Sequence, residues 1–594
     1  MLSAPCVWAA AWVPPACSKW HREITEMGER LPAPTREEIT AAGLKIMAEN
    51  PFFEVGEAEI RGATYRVFKN APNNTDGLLF MCDLHADKTA VVSGDVRWSF
   101  ADLARESRAV AAGLAKMGVK KGDLVATATR NTPEFMATYL GVTLIGGVIV
   151  PLNGWWTAHE MEFALKDCGA KILLVDAEQA PKFLPLKDKF GLTLISGHGE
   201  FDGQDHSWAS IRDAGKDETP PTQVVGPDDL MSIMYTSGST GDPKGVMLTH
   251  RGAWSTLLSF GFVMSAAKET AKGAAMAEAA GDLGILVSVP LFHVTGSHPV
   301  FMLSLILGRK MVLMRSWKPE EAVRLINQEK ITNFVGVPTM SHELMLAAES
   351  MGETLDTLTD LSAGGAKRPP SHVRKLADSF RRAYSSTGYG LSETSALGTY
   401  NGLDDYQNNP GSCGRAVPPV THVRIVGPDG TDMPVDEPGE VWIKTPGVFA
   451  GYLNLPEETA KTLTPDGWFK TGDVGTMNAE GQVTIVDRLK DMIVRGGENV
   501  ACLEVEAALV KHPQILEAAA FAVPDERLGE AVGAAIYTKP GADVTLDELN
   551  DFLEGDLAAF KRPEHLWHFN EPLPRGGTEK IDKPGLRKKL LGGS

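Results

Sequence analysis

The chain has 594 residues, 43% of them apolar and 23% charged, with a formal net charge of -18. That length exceeds one compact core, so at least two domains are expected, and the composition excludes a largely disordered chain. The acidic balance argues against a nucleic-acid partner, which needs a basic face, yet it leaves room for anionic substrates held by glycine loops and a few Lys or Arg side chains.

In chain order, the opening stretch to Trp20 is apolar and holds Trp8, Trp12, Pro14 and Pro15. No Lys or Arg precedes Lys19, and the prolines interrupt the run, so it does not fit a signal peptide. Residues 1–26 are read as an over-called start ahead of Met27, within a leader over 1–74 that comprises a helix and an opening strand. Helical spacing runs over 37–50, and Thr35 and Glu38 have the spacing of a capping box. From Lys88 short apolar runs alternate with amphipathic stretches: strands are expected over 124–129, 148–152 and 171–175, and a helix over 134–144. The rhythm returns with strands over 285–289, 310–314 and 331–337 and a helix over 318–329, where Pro319 suits the first turn.

Around 411–444 the texture changes to short strands and turns such as Gly427-Pro428-Asp429-Gly430, which reads as a small β subdomain. After a break at 488–491 come a helix over 503–511, strands over 518–523 and 534–538, and a helix over 546–557. That set has the size of a small domain. The basic tail, Arg587, Lys588 and Lys589, reads as a solvated end. The expected fold class is therefore α/β: a large N-terminal domain of layered α/β subdomains plus a small β subdomain over 75–487, a hinge at 488–491, and a small mobile α+β C-terminal domain over 492–594. No apolar run reaches transmembrane length. The 6 cysteines form no C-x-x-C pair, which suits reduced thiols in a reducing compartment, so a cytoplasmic location is expected. Peripheral contact with a membrane and the oligomeric state stay open.

The most informative segment is Tyr235-Thr236-Ser237-Gly238-Ser239-Thr240-Gly241-Asp242-Pro243-Lys244-Gly245-Val246, after an apolar strand over 230–234. Its glycines let backbone approach an anion without a Cβ in the way, and successive N–H groups can face phosphate oxygens. Hydroxyls add donors and Lys244 a mobile positive charge. The loop of the P-loop NTPases runs Gly-Lys-Ser/Thr directly into a helix. Here Gly245 and a strand-like 246–248 follow Lys244, and the helix begins only after Thr249. A flexible linker would not sit between two apolar strands. The segment resembles the phosphate loop of the adenylate-forming superfamily, which includes acyl-CoA synthetases, peptide-synthetase adenylation domains and firefly-type luciferases. The resemblance extends from about Trp98 to Lys583.

The same resemblance implies roles elsewhere. Tyr389-Gly390-Leu391-Ser392-Glu393-Thr394, with Gly388 before it, is similar to the segment that holds adenine and magnesium. Glu393 and Ser239 are the implied contacts to Mg²⁺, for which a carboxylate is a suitable hard ligand. Gly364, Gly365 and Ala366 resemble the opposite wall of the adenine slot. Asp473, in Trp468-Phe469-Lys470-Thr471-Gly472-Asp473, is implied to accept both ribose hydroxyls. Asp487-Arg488-Leu489-Lys490-Asp491 resembles the hinge, with Arg488 on the nucleotide and Lys490 as pivot. Lys580, in Pro574-Arg575-Gly576-Gly577-Thr578-Glu579-Lys580-Ile581, is implied to stabilise charge between the substrate carboxylate and the α-phosphate. The family has Gly immediately before this lysine and the chain has Glu579, which strand-like alternation would turn towards solvent.

The implied chemistry has two halves. A carboxylate attacks the α-phosphate of Mg-ATP, giving acyl-AMP and pyrophosphate, by positioning and charge stabilisation rather than a protein nucleophile. The small domain then rotates and the thiol of coenzyme A displaces AMP. Arg495-Gly496-Gly497-Glu498-Asn499 resembles the face used in that second half, where Gly496 and Gly497 would let pantetheine pass. Phe292-His293-Val294-Thr295 resembles the acyl-pocket segment; His293 stands where amino-acid-activating relatives have Asp, which disfavours an amino acid. Gly390 stands where acetate-specific relatives have Trp, which implies an open channel. The expected substrate is a medium- or long-chain fatty acid, with an aryl or polycyclic acid as the alternative. Rival readings are adenylation for a carrier-protein or dioxygen acceptor, and a non-catalytic nucleotide-binding protein.

Overall fold

The computed structural model describes residues 30–236, 243–366, 368–496, 498–576 and 580–592. The chain forms two compact units. The first runs through Val423 and includes Ile443–Phe469; the second comprises Arg424–Trp442 and everything from Lys470 onward.

The first unit opens with the helix Arg36–Glu49, whose capping box forms as expected: the Thr35 hydroxyl accepts from the Glu38 N–H at 3.3 Å, and the Glu38 carboxylate accepts from the Thr35 N–H at 2.6 Å. Among the described residues its core is built on two large sheets. One has eight strands in the spatial order 451–452, 244–249, 230–236, 148–151, 124–128, 172–175, 193–196 and 206–207. Its middle strands, Leu124–Ala128, Val148–Pro151 and Ile172–Val175, pair in parallel. They are buried almost throughout, as short unbroken apolar runs must be when helices cover both faces. The helix Pro133–Leu144 is also buried on nearly all sides; Pro133 opens it and the Thr132 hydroxyl accepts from the Phe135 N–H at 3.2 Å.

The second sheet has nine strands in the order 415–416, 398–401, 384–390, 360–364, 333–336, 284–287, 310–313, 89–93 and 96–99. Strands Asp360–Gly364 and Tyr384–Gly390 run in parallel, with Gly364 opposite Gly388. Ligands in open α/β sheets gather at the carboxyl ends of such strands, and the two candidate adenine segments begin there. Arg415–Ala416 joins this sheet rather than the small β subdomain expected over 411–444.

In the second unit, Asp473–Met477 pairs antiparallel with Val483–Arg488. Beyond them, Gly529–Thr538 pairs with Ile515–Asp525 on one side and with Ile493–Arg495 and His565–Phe569 on the other. The helix expected over 546–557 stops at Phe552, because Gly555 takes φ +95°, which no helix contains. The basic tail is a helix, Lys583–Leu590, with Leu586 buried and Arg587, Lys588 and Lys589 exposed. Among the described residues no helix is long and apolar enough to cross a membrane. The α/β class read from the strand–helix alternation is the class the chain adopts.

Candidate active site

The strand Leu230–Thr236 turns back as Lys244–Thr249, and Thr236 pairs directly with Lys244. The glycine segment therefore joins the two arms of an antiparallel hairpin. Ser237, Gly238, Ser239, Thr240 and Gly241 lie outside the described residues. The helix that follows starts at His250, capped by the Thr249 hydroxyl, which accepts from the Gly252 N–H at 3.1 Å. Lys244 Nζ lies 3.0 Å from Glu458 Oε2 and 5.2 Å from the centroid of the Tyr452 ring. Lys461 is the second cation on Glu458, at 2.6 Å. Lys461 and Lys244 together hold the Glu458 carboxyl down at about 2.

Tyr452 also reaches the candidate metal ligand. Its hydroxyl donates to Glu393 Oε1 at 2.8 Å, and the Glu393 carbonyl accepts from the Phe449 N–H at 2.8 Å. Burial, then the Glu393 carboxylate, push the Tyr452 phenol well above its usual range, so it stays a donor. Glu393 lies in the single turn Ser392–Thr394, 8% exposed, and Ser392 beside it is also buried. Among the described residues no group of three or more His, Cys, Asp and Glu side chains could hold a metal. One oriented carboxylate nevertheless suits Mg²⁺, which binds few protein ligands and brings substrate phosphates with it. The sequence does not signal Tyr452, because nothing in its two-residue strand, Gly451–Tyr452, points to a partner so far away in the chain.

The two adenine segments are accessible from solvent. Gly364, Gly388 and Tyr389 are half-exposed, and Gly365 and Ala366 exposed. A Cβ on Gly364 or Gly388 would meet nothing closer than 3.5 Å, so a flat ring can approach the backbone there. Gly365 takes φ +78°, the left-handed region that favours glycine.

Gly390 differs. It pairs with Gly398, and a Cβ added to it would lie 2.5 Å from the Ala396 carbonyl oxygen. Glycine at 390 is thus required by backbone packing, which is a reason independent of any open channel. His293 is half-buried, its Nδ1 accepting from the Thr295 N–H at 3.3 Å. Val294 is buried. Phe292 packs edge-on against Trp155 at 5.2 Å, and the Arg130 guanidinium lies over Trp155 at 4.9 Å.

In the second unit Asp473 sits directly opposite Arg488 in the antiparallel pair, and Arg488 Nε lies 3.2 Å from Asp473 Oδ1. Asp473 is 5% exposed. The Arg488–Asp491 segment is a tight turn in which the Asp491 N–H donates to the Arg488 carbonyl at 3.0 Å, leaving Lys490 exposed. Asp487 before it is buried and accepts from the Arg488 and Leu503 N–H groups. Gly496 takes φ +60° in the turn between Ile493–Arg495 and Glu498–Val500; Gly497 lies outside the described residues. The Gly576 N–H donates to the Lys580 carbonyl at 2.7 Å, and Arg575 pairs with Ile581. Burial, then the Arg488 charge, push the Lys580 ammonium down to about 8, with Asp473 opposing. Three candidates, Asp473, Arg488 and Lys580, therefore feel one another's charge. Glu579 lies outside the described residues.

A family model described as AMP-binding enzyme matches residues 81–453, and one described as AMP-binding enzyme C-terminal domain matches 504–580. A feruloyl-CoA synthase from an Amycolatopsis species is 35% identical over 504 residues, 84% of this chain and 96% of the relative. A long-chain-fatty-acid–CoA ligase from Bacillus subtilis is 33% identical over 532 residues, 85% and 91% respectively. Among solved structures, ATP-bound MatB from Rhodopseudomonas palustris is 27% identical with a TM-score of 0.75, over 87% of this chain and 99% of that one. The chain belongs to the AMP-binding enzyme family and is an AMP-forming acid–thiol ligase.

Proposed function

We propose that the protein activates an apolar carboxylic acid with ATP as an acyl-adenylate and transfers the acyl group to coenzyme A. The observation that carries this reading is the hairpin ending at Lys244 together with the buried Glu393 held by Tyr452. Lys244 and the glycine segment hold the polyphosphate, Tyr389 and the 364–366 backbone flank the adenine, and Asp473 and Arg488 take the ribose side. Glu393 and Ser239 would hold magnesium, which would supply neutralisation of phosphate charge when bound. Lys580 stabilises the charge that develops as the carboxylate oxygen attacks the α-phosphate and pyrophosphate leaves. Turning about Arg488–Asp491 then exchanges the Lys580 face for Gly496 and Gly497, along which the CoA thiol reaches the acyl carbonyl and displaces AMP.

For the acid itself we propose a medium- or long-chain fatty acid, supported by the apolar Phe292 and Val294 around His293. The feruloyl-CoA synthase likeness and the Trp155–Phe292 aromatic pair favour a second reading, an aryl-substituted acid. CoA-dependent AMP release over a panel of C8 to C18 fatty acids and hydroxycinnamic acids separates them. Preference for a fatty acid by at least tenfold in kcat/KM supports the first reading; the reverse order overturns it.

A further inference from the structure

Resting on that reading, we propose that Glu458 is a positioning residue that parks Lys244 and is displaced by the polyphosphate of ATP. The arrangement is built from three elements of the first unit. The hairpin supplies Lys244, the strand Gly451–Tyr452 supplies the ring beneath its ammonium, and the helix Pro456–Thr462 supplies the carboxylate. Thr459 fixes the helix to the strand, its hydroxyl accepting from the Tyr452 N–H at 2.8 Å. Ring and carboxylate are therefore held in register. The Lys244 and Glu458 side chains are 15% and 32% exposed, so their pairing is less screened than that of a fully exposed pair.

A lysine that must meet phosphates is here already neutralised by a carboxylate at 3.0 Å. Incoming phosphate oxygens compete for the same ammonium hydrogens and meet the negative charge of Glu458 on approach. The carboxylate does not lose all its partners on release, because Lys461 remains on its other oxygen at 2.6 Å. Glu458 can thus hand Lys244 to the nucleotide without being left bare. This contact sets the strength of polyphosphate binding and takes no part in binding AMP, which has neither β- nor γ-phosphate.

The test is calorimetric binding of Mg-ATP, pyrophosphate and AMP to the full chain without carboxylic acid. Glu458→Gln should lower Kd for Mg-ATP and pyrophosphate about threefold to fivefold, the scale of a partly exposed ion pair, and leave AMP within twofold. The same substitution in a Lys244→Met background should have no effect, as a double-mutant cycle requires when two residues act through one contact. Glu457→Gln, an equal charge change one residue earlier, should change nothing beyond twofold. An unchanged or raised Kd in Glu458→Gln, an equal effect in the Lys244→Met background, or a matching effect of Glu457→Gln each overturns the proposal. If the unaltered chain binds neither ATP nor AMP, the functional reading falls with it; if it binds both and Glu458 has no effect, only this proposal falls.

Discussion

If Lys580 supplies positive charge at the α-phosphate, the first half-reaction should slow as that ammonium loses its proton. Burial and the Arg488 charge set it at about 8 rather than at the ordinary lysine value of 10.5. A group titrating at about 8 is roughly 91% protonated at pH 7 and roughly 9% at pH 9, so a rate that needs the ammonium falls about tenfold across that interval. The quantity to follow is kcat/KM for ATP in carboxylate-dependent pyrophosphate release from pH 6.5 to 9.5, because it reports the free enzyme, before bound phosphate raises the lysine again. Thioester formation from supplied acyl-AMP should show no such falling limb. Lys580→Arg should be slower at pH 7 but flat to pH 9.5, since a guanidinium keeps its charge throughout. Lys580→Ala should cut adenylation about a hundredfold or more and spare the second half-reaction. A wild-type profile flat to pH 9.5, or the same falling limb in Lys580→Arg, would refute the assignment.

Three further outcomes follow from particular contacts. Tyr452→Phe removes the hydroxyl that donates to Glu393 at 2.8 Å; the Mg²⁺ concentration for half-maximal ATP–pyrophosphate exchange should rise about tenfold, and an unchanged requirement would separate Tyr452 from the metal. Lys583→Met leaves the Glu506 carboxylate, paired with Lys583 Nζ at 2.5 Å, without its cation; urea unfolding should show a loss of about 2 kcal/mol, largely restored by adding Glu506→Met, and equal losses in the single and double variants would contradict it. Gly390→Ala drives a Cβ to 2.5 Å from the Ala396 carbonyl; the folded enzyme should lose about 1–3 kcal/mol with its acid preference intact, whereas a shifted preference at unchanged stability would return Gly390 to the acyl channel.

Local physics made much of the architecture legible. Thr35 and Glu38 announced their helix because a capping box is a property of four consecutive residues. The buried strands Val148–Pro151 and Ile172–Val175 were visible as apolar runs. The two apolar strands flanking the glycine segment were legible but their antiparallel pairing was not, and the assignment of Lys244, Glu393, Asp473 and Lys580 to one chemistry came from family likeness rather than spacing. What stayed hidden depends on distant pairing. Glu458 is 214 residues from Lys244, and Tyr452 is 59 from Glu393; neither periodicity nor composition links them. Gly390 was legible as a small residue but not as one pressed against a neighbouring carbonyl, because that contact is created by the Gly390–Gly398 pairing.

The most direct test of the account is exchange of labelled pyrophosphate into ATP, run with a carboxylic acid alone and then with acid plus coenzyme A. Exchange should require the acid, proceed without CoA, and give way to stoichiometric AMP and acyl-CoA when CoA is added. Exchange independent of the acid, or AMP release with no thioester formed, would contradict the central claim that the chain makes an acyl-adenylate and delivers it to a thiol.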